Sequence, residues 1–339
     1  MSDLPAGLTT GQRVAVRSRI DPPPTAGPTL TDTVGELVDI DATHLRIATR
    51  TGDVTVARDR VVAARVIPPK PSRRGAPHRA ITLEDLHLVM TRGQPGVEEA
   101  WLGAPGSGWL LRAGLGWTGR SNSALPVGDP RRPLPEAVDA VEAWYDERGL
   151  LPLVMLPRPT GAATADDPLG ALLLERGWVE GNPADVLTGR TADLLADVPT
   201  PPGLRLTAAD APDDAWFAGG SPRLLDHLDA ARQILALPPH QVFATATTDE
   251  GEVAAVVRVA VNDGWAGVFG LHVAPRHRGR GVGRWLTVES LRAAAADGAS
   301  LTYLQVEPGN APAQHIYRDM GLTTHHDYVY LRRGLRGEE

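Results

Sequence analysis

The chain has 339 residues, 42% hydrophobic and 22% charged, with a net charge of −7; this is ordinary globular composition, and more chain than one domain needs. It has no cysteine, which excludes disulfides, thiolate metal sites and a cysteine nucleophile, and no metal is expected. The acidic balance argues against nucleic acid as a partner, and with no membrane-length apolar run and no basic-then-apolar leader after Met1, a cytoplasmic protein is expected.

Residues 8–68 read as five short strands, at 12–19, 33–40, 44–49, 54–57 and 61–67. A proline-rich loop at 21–28 and a brief turn at Arg58-Asp59-Arg60 separate them, and together they predict a small SH3-like β-barrel. No Phe, Trp or Tyr occurs in the first hundred positions. That counts against a proline-peptide groove or a base-stacking platform, both of which need aromatic faces. Arg13, Arg17, Arg19, Arg46 and Arg50 could form a basic face, largely offset by Asp39, Asp41 and Asp53. Residues 68–77 read as a linker.

The region 80–197 holds five of the eight tryptophans. Residues 120–127 are strand-like, 134–148 helical, 153–156 a strand and 168–176 a helix ending at Gly177. Trp117, Arg120 and Asn122 could line a substrate cleft, with core packing as the plain alternative for tryptophan. Residues 196–203, rich in proline, form a joint.

From 204 onward the elements are a strand at 204–207, helices at 210–217 and 221–235, and strands at 241–247 and 253–261. Asp263-Gly264 is a tight hairpin signal into the strand 265–273. Then comes His272-Val273-Ala274-Pro275-Arg276-His277-Arg278-Gly279-Arg280-Gly281-Val282-Gly283-Arg284, opening a Leu/Ala-rich helix. Glycines at 279, 281 and 283 clear side chains from the turn, and amides at a helix N-terminus favour an anion. Arg278, Arg280 and Arg284 add guanidinium groups suited to phosphate oxygens. The spacing is G-x-G-x-G, not the G-x-G-x-x-G of dinucleotide folds, and it contains R-x-x-G-x-G at Arg278, Gly281 and Gly283. A strand at 301–306 follows, then a helix that Asn310 caps, with Ala313, Ile316, Tyr317 and Met320 on one apolar face and Gly321 at its stop.

With these two motifs in order, R-x-x-G-x-G and N-x-x-A-x-x-x-Y-x-x-x-G (Asn310, Ala313, Tyr317, Gly321), residues 204–335 resemble the GNAT superfamily of acyl-CoA N-acyltransferases. The layout is similar to tandem-GNAT acetyltransferases of high-GC bacteria, the middle region resembling a degenerate GNAT half that lacks the phosphate turn. The expected fold class is therefore α/β (α+β): a GNAT domain with a splayed mixed sheet at 204–335, a GNAT-like half at 80–197 and the barrel at 8–68.

The resemblance implies acetyl-CoA as co-substrate and direct attack of an amine on the thioester. Its pyrophosphate would lie on Arg278, Gly279, Arg280, Gly281, Val282, Gly283 and Arg284, and its pantetheine arm on the backbone of Leu271 and Val273. Asn310 is a helix cap, a pantetheine contact, or both. Tyr317 is implied as general acid, against the plain reading that it completes its helix's apolar face. For a general base the nearest groups are Glu307 and His272, each readable as an ordinary strand residue. The acceptor is a small-molecule or protein amine. A non-catalytic acyl-CoA sensor, or a protein lysine acetyltransferase recruited by the barrel, are the alternatives.

Overall fold

The computed structural model describes residues 8, 10, 13–22, 29–49, 52–66 and 76–333. Two compact units emerge, Met1–Gly75 and Ala76–Glu339. The expected linker, up to position 75, and positions 23–28 of the proline-rich loop lie outside the described residues.

In the smaller unit, β1 (Arg13–Arg19), β2 (Leu30–Ile40), β3 (His44–Thr49), β4 (Gly52–Ala57) and β5 (Val61–Val66) form an antiparallel sheet in the order β4-β3-β2-β1-β5. Alternation builds its core: Val14 and Val16 of β1 and Leu45 and Ile47 of β3 are fully buried with Leu37. Arg17 pairs with Asp32 at 2.7 Å, and Arg46 lies 4.0 and 3.8 Å from Asp39 and Asp53. Acids thus offset the basic face where it is described; Arg50 and the Arg13 side chain lie outside the described residues.

The larger unit opens with α1 (Pro77–Ala80) and α2 (Leu83–Gly93), then a small antiparallel sheet of β6 (Glu98–Leu102), β7 (Trp109–Ala113) and β8 (Leu125–Pro126). Next come α3 (Leu134–Asp146), β9 (Leu153–Arg158), α4 (Pro168–Glu175), β10 (Trp178–Arg190) and α5 (Thr191–Leu194). The C-terminal part begins with β11 (Leu204–Ala209), α6 (Asp214–Ala218), α7 (Pro222–Leu225) and α8 (Leu228–Leu235). It continues through β12 (Gln241–Thr248), β13 (Val253–Asn262), β14 (Trp265–Val273) and α9 (Val282–Ala296). It closes with β15 (Leu301–Val306), α10 (Ala311–Asp319) and β16 (Thr323–Arg333).

Eight of these strands make one mixed sheet, β11-β12-β13-β14-β15-β10-β16-β9, in which β14 and β15 pair in parallel and all other neighbours are antiparallel. The middle region thus lends two strands to the C-terminal sheet, and β10 is seated between β15 and β16. β10 carries little strand signal in the sequence: Gly181, Asn182 and Pro183 interrupt it, and its ladder shifts register there. The strand expected over 120–127 shrinks to β8; the residues before it form turns, with Leu115 and Thr118 both at φ 53°. The helix expected over 221–235 is two helices, broken at His227 (φ −134°, ψ 35°). Asp263 and Gly264, at φ 50° and 75°, take the left-handed pair that a type I′ hairpin turn requires.

Cores form on both faces of the sheet. On one, Leu286, Val288 and Leu291 of α9 pack with Ala244, Val257 and Leu304. On the other, Leu86 and Met90 of α2 pack with Trp265, Phe269, Tyr303 and Tyr328. Leu286 is fully buried, so Leu286→Ala is expected to destabilise the larger unit by about 2–5 kcal/mol. All eight tryptophans lie in that unit, so urea unfolding followed by tryptophan emission reads it alone. An unchanged midpoint would show that α9 does not anchor this face.

Candidate active site

The site is built where β14 stops pairing with β15. Their register runs from Trp265↔Leu301 to Val268↔Leu304 and ends there. Beyond it β14 stays with β13 (Val256↔His272, Ala255↔Val273), while β15 stays with β10 as far as Val306↔Asp185. The two strands part in a wedge, so the β15-facing edge of β14 from Phe269 to Val273 has no strand beside it.

At the root of the wedge β14 bulges. Arg258 faces Phe269 and Val256 faces His272, so Gly270 and Leu271 together oppose Val257. Gly270 sits at φ 61°, a conformation glycine adopts without strain. The extra residue flips the alternation. Trp265 and Phe269 belong to the α2 side, whereas Leu271 and Val273 pack on the α9 side.

The turn after β14 leads directly into α9. Gly279 and Gly281 are both left-handed, at φ 72° and 76°, and Gly281 caps α9 with no side chain bonding the first turn. The amides of Val282, Gly283 and Arg284 are therefore left for a ligand at the positive end of the helix dipole. Gly283 packs against the strand end: a Cβ there would meet the Leu271 and Val273 side chains at 3.4 Å, an ordinary contact. Arg278 Nε donates to the Val273 carbonyl at 2.9 Å, tying the turn to the strand end. Arg280 is exposed and borders a groove with Pro201, Leu204, Glu250 and His277. Arg284 is half-buried, and its Nε has no hydrogen-bond partner. Nine sequence candidates, Leu271, Val273 and the seven from Arg278 to Arg284, thus converge on one strand end and one helix start.

Asn310 caps α10, its side chain accepting from the Ala313 amide at 3.2 Å. Tyr317, on α10, is 6% exposed in the core under α9, and among the described residues its hydroxyl has no hydrogen-bond partner. Burial pushes its pKa above the ordinary phenol value. Glu307 lies exposed just beyond β15. His272 is half-buried, and burial, then the nearby Arg278, holds its pKa below the usual histidine value.

A cavity of about 370 Å³ reaches the wedge at Phe269, Gly270 and Glu307. Trp117, Arg120 and Asn122, the sequence's cleft candidates, line it from the turns before β8; Trp216 and Arg223 line it from α6 and α7. Arg258, Tyr328 and Tyr330 complete it from β13 and β16, and sequence reasoning missed these three along with Trp216 and Arg223. Arg258 did carry a signal, as the one charge in a ten-residue apolar strand. The tyrosines carried none beyond alternation. Neither Tyr317 nor His272 lines the cavity among its described walls.

Residues 83–331 match the family described as "Probable histone acetyltransferase Rv0428c C-terminal". The chain belongs to this acetyltransferase family. Residues 8–65 match the description "Rv0428c N-terminal Sm-like domain". The small β domain, expected as an SH3-like barrel, thus matches a domain described as Sm-like. The "Probable histone acetyltransferase Rv0428c" of Mycobacterium tuberculosis (strain ATCC 25618 / H37Rv) is 31% identical over 337 residues, covering 95% of this chain and 94% of that protein. The "Uncharacterized N-acetyltransferase YobR" of Bacillus subtilis (strain 168) is 26% identical over 230 residues, 66% of this chain and 88% of YobR.

Among solved structures, a GCN5-related N-acetyltransferase from Kribbella flavida superposes with a TM-score of 0.55 at 18% identity, over 76% of this chain and 96% of that one. A tandem GNAT protein from the clavulanic acid biosynthesis pathway also gives 0.55, at 14% identity, over 79% and 93%. These two carry the fold: the mixed sheet with parted strands is a GNAT sheet.

Because the Tyr317 hydroxyl has no hydrogen-bond partner among the described residues, Tyr317→Phe is expected to change unfolding free energy by no more than about 0.5 kcal/mol. A loss well above that in urea titration would reveal a structural hydrogen bond at this hydroxyl.

Proposed function

We propose that this acetyltransferase moves an acetyl group from acetyl-CoA to a primary amine by direct attack. The pyrophosphate would rest on the turn Gly279–Gly281 and the first amides of α9, with Arg278, Arg280 and Arg284 around it. The pantetheine arm would lie in the wedge along Leu271 and Val273, its thioester oxygen steadied by a backbone amide as charge develops. The acceptor amine would enter from the cavity. One observation carries this reading: the wedge joins an uncapped, arginine-rich helix start to a cavity that ends at the same parted strands.

The chemistry balances with the residues at hand. The amine nitrogen attacks the thioester carbonyl carbon, forming the C–N bond, and the C–S bond breaks. The amine's proton passes to Glu307, the carboxylate that lines the cavity beside the strand ends; His272, held neutral at pH 7 by burial and Arg278, is the second group able to accept it. The departing thiolate takes a proton from Tyr317. A phenol above its ordinary pKa of about 10 stays protonated at neutral pH, but gives its proton uphill to a thiolate whose thiol is near 8.5. A fixed position beside a dry wedge would offset that gap.

The M. tuberculosis relative is named a probable histone acetyltransferase, which favours a second reading, with a protein lysine as acceptor and the Sm-like domain as its recruiter. The main reading is tested by calorimetry of acetyl-CoA and free CoA with wild type and Arg278→Ala/Arg280→Ala. Binding that weakens at least tenfold in the double variant is expected, together with a Tyr317→Phe kcat lower by about 100-fold or more at unchanged acetyl-CoA affinity. Binding with no turnover of any amine would make the chain a sensor, and no binding to folded wild type would sink the coenzyme site.

A further inference from the structure

The cavity is cationic in a protein that is acidic overall. Arg258 is 1% exposed and Arg112, of β7, 2%. Arg258 donates to the Gln94 and Gln241 side-chain oxygens, the latter at 2.7 Å, and lies 4.2 Å over the Phe269 ring. Arg120 donates to Gln305 at 2.8 Å. Arg112, which shares a small void with Arg120 and Gln94, donates to the carbonyl and hydroxyl oxygens of Ser123 at 3.1 and 2.9 Å. All these acceptors are neutral.

Among the described residues, none of these three arginines, nor Arg223 at the cavity wall, lies within ion-pair distance of a carboxylate. Acids are not scarce, at 41 against 34 bases; the cavity wall simply holds one, Glu307. A buried cation without a counter-charge is destabilising, and burial pulls the Arg258 pKa down to about 9. On the edge of the same sheet one partly buried arginine is paired: Arg158 meets Asp327 at 2.5 Å.

We propose that the acceptor is a small primary amine that itself carries an anionic group, a carboxylate or a phosphate, docked on Arg120 and Arg258 with its amine toward Glu307. This rests on the acetyl-transfer reading above. Guanidinium forks suit both anions, and Trp117, Trp216, Tyr328 and Tyr330 keep the pocket apolar enough to strengthen the pairing. A cavity of about 370 Å³ takes a small molecule. The same arginines lower the pKa of an arriving ammonium, so that more of it is the neutral nucleophile. A lysine-rich peptide would meet repulsion instead.

The test is a panel of acceptors with acetyl-CoA: amino acids, aminoalkyl phosphates, their uncharged amide or alcohol counterparts, alkyl diamines and a lysine-rich peptide. CoA release is followed with a thiol reagent, which reads CoA alone because the chain has no cysteine. Wild type is expected to prefer one anionic class over its uncharged counterpart by at least about tenfold in kcat/KM, a margin that one charge-assisted hydrogen bond supplies; which class wins tells carboxylate from phosphate. Arg120→Gln, at a half-buried position, should erase that preference while leaving acetyl-CoA affinity by calorimetry as in wild type. The change in total tryptophan emission on acceptor binding, to which Trp117 and Trp216 at the cavity wall contribute, gives acceptor affinity without turnover and should show the same loss. Faster turnover of diamines or of the peptide, equal turnover of charged and uncharged amines, or a preference that survives Arg120→Gln would overturn the proposal with the coenzyme site intact. Loss of acetyl-CoA binding in wild type would remove the acetyl-transfer reading itself.

Discussion

The parting of β14 from β15 after the Val268↔Leu304 pair is the constraint on which the rest of the molecule depends. Two parallel strands that stay paired would bury their edges in one another. Here each is held from its outer side instead, β14 by β13 and β15 by β10. The gap between them is thus a stable feature, and apart from the Val273 carbonyl, which Arg278 holds, backbone groups that would bond across it have no strand partner there. The left-handed Gly270 and its bulge act on the same strand, turning Leu271 and Val273 under α9 while Phe269 stays with the cavity.

The middle region earns its place through this geometry. By inserting β10 between β15 and β16 it keeps the far edge of β15 paired through Val306, beyond the point where β14 leaves. By sending the turns around Trp117–Asn122 over the sheet, it closes the cavity that α6, α7 and β16 begin. The two regions cannot be separated without opening an edge in the eight-stranded sheet. Gln94, at the end of α2, reinforces the join, because it meets Arg258 of β13 from the other region. The cavity is accordingly shared property of both regions, whereas the glycine- and arginine-rich turn before α9 belongs to the C-terminal region alone.

Legibility in the sequence followed the locality of the signal. The turn before α9 was legible as geometry, because glycines at left-handed positions and arginines beside a helix start are local features, as was the Asn310 cap. Strands β12 to β15 were legible because continuous apolar runs between turn signals have few alternatives. β10 was not, since Gly181, Asn182 and Pro183 mask its period and its partners lie more than a hundred residues away. The two-helix break at His227 leaves no Gly or Pro to announce it. Arg258 was visible as a lone charge in β13, but its meaning needed Arg112 and Arg120, which only the folded sheet brings near. Tyr317 divides the two kinds of knowledge: its spacing placed it on the apolar face, and its packing confirms burial there.

If the wedge and the turn beyond it receive one ligand together, as proposed, hydrogen–deuterium exchange shows it most directly. On adding acetyl-CoA, peptides spanning residues 269–284 should exchange more slowly, with the largest change at Leu271–Val273 and Gly279–Arg284, while the Sm-like domain stays unchanged. Protection confined to other segments, or none at saturating acetyl-CoA, would contradict it.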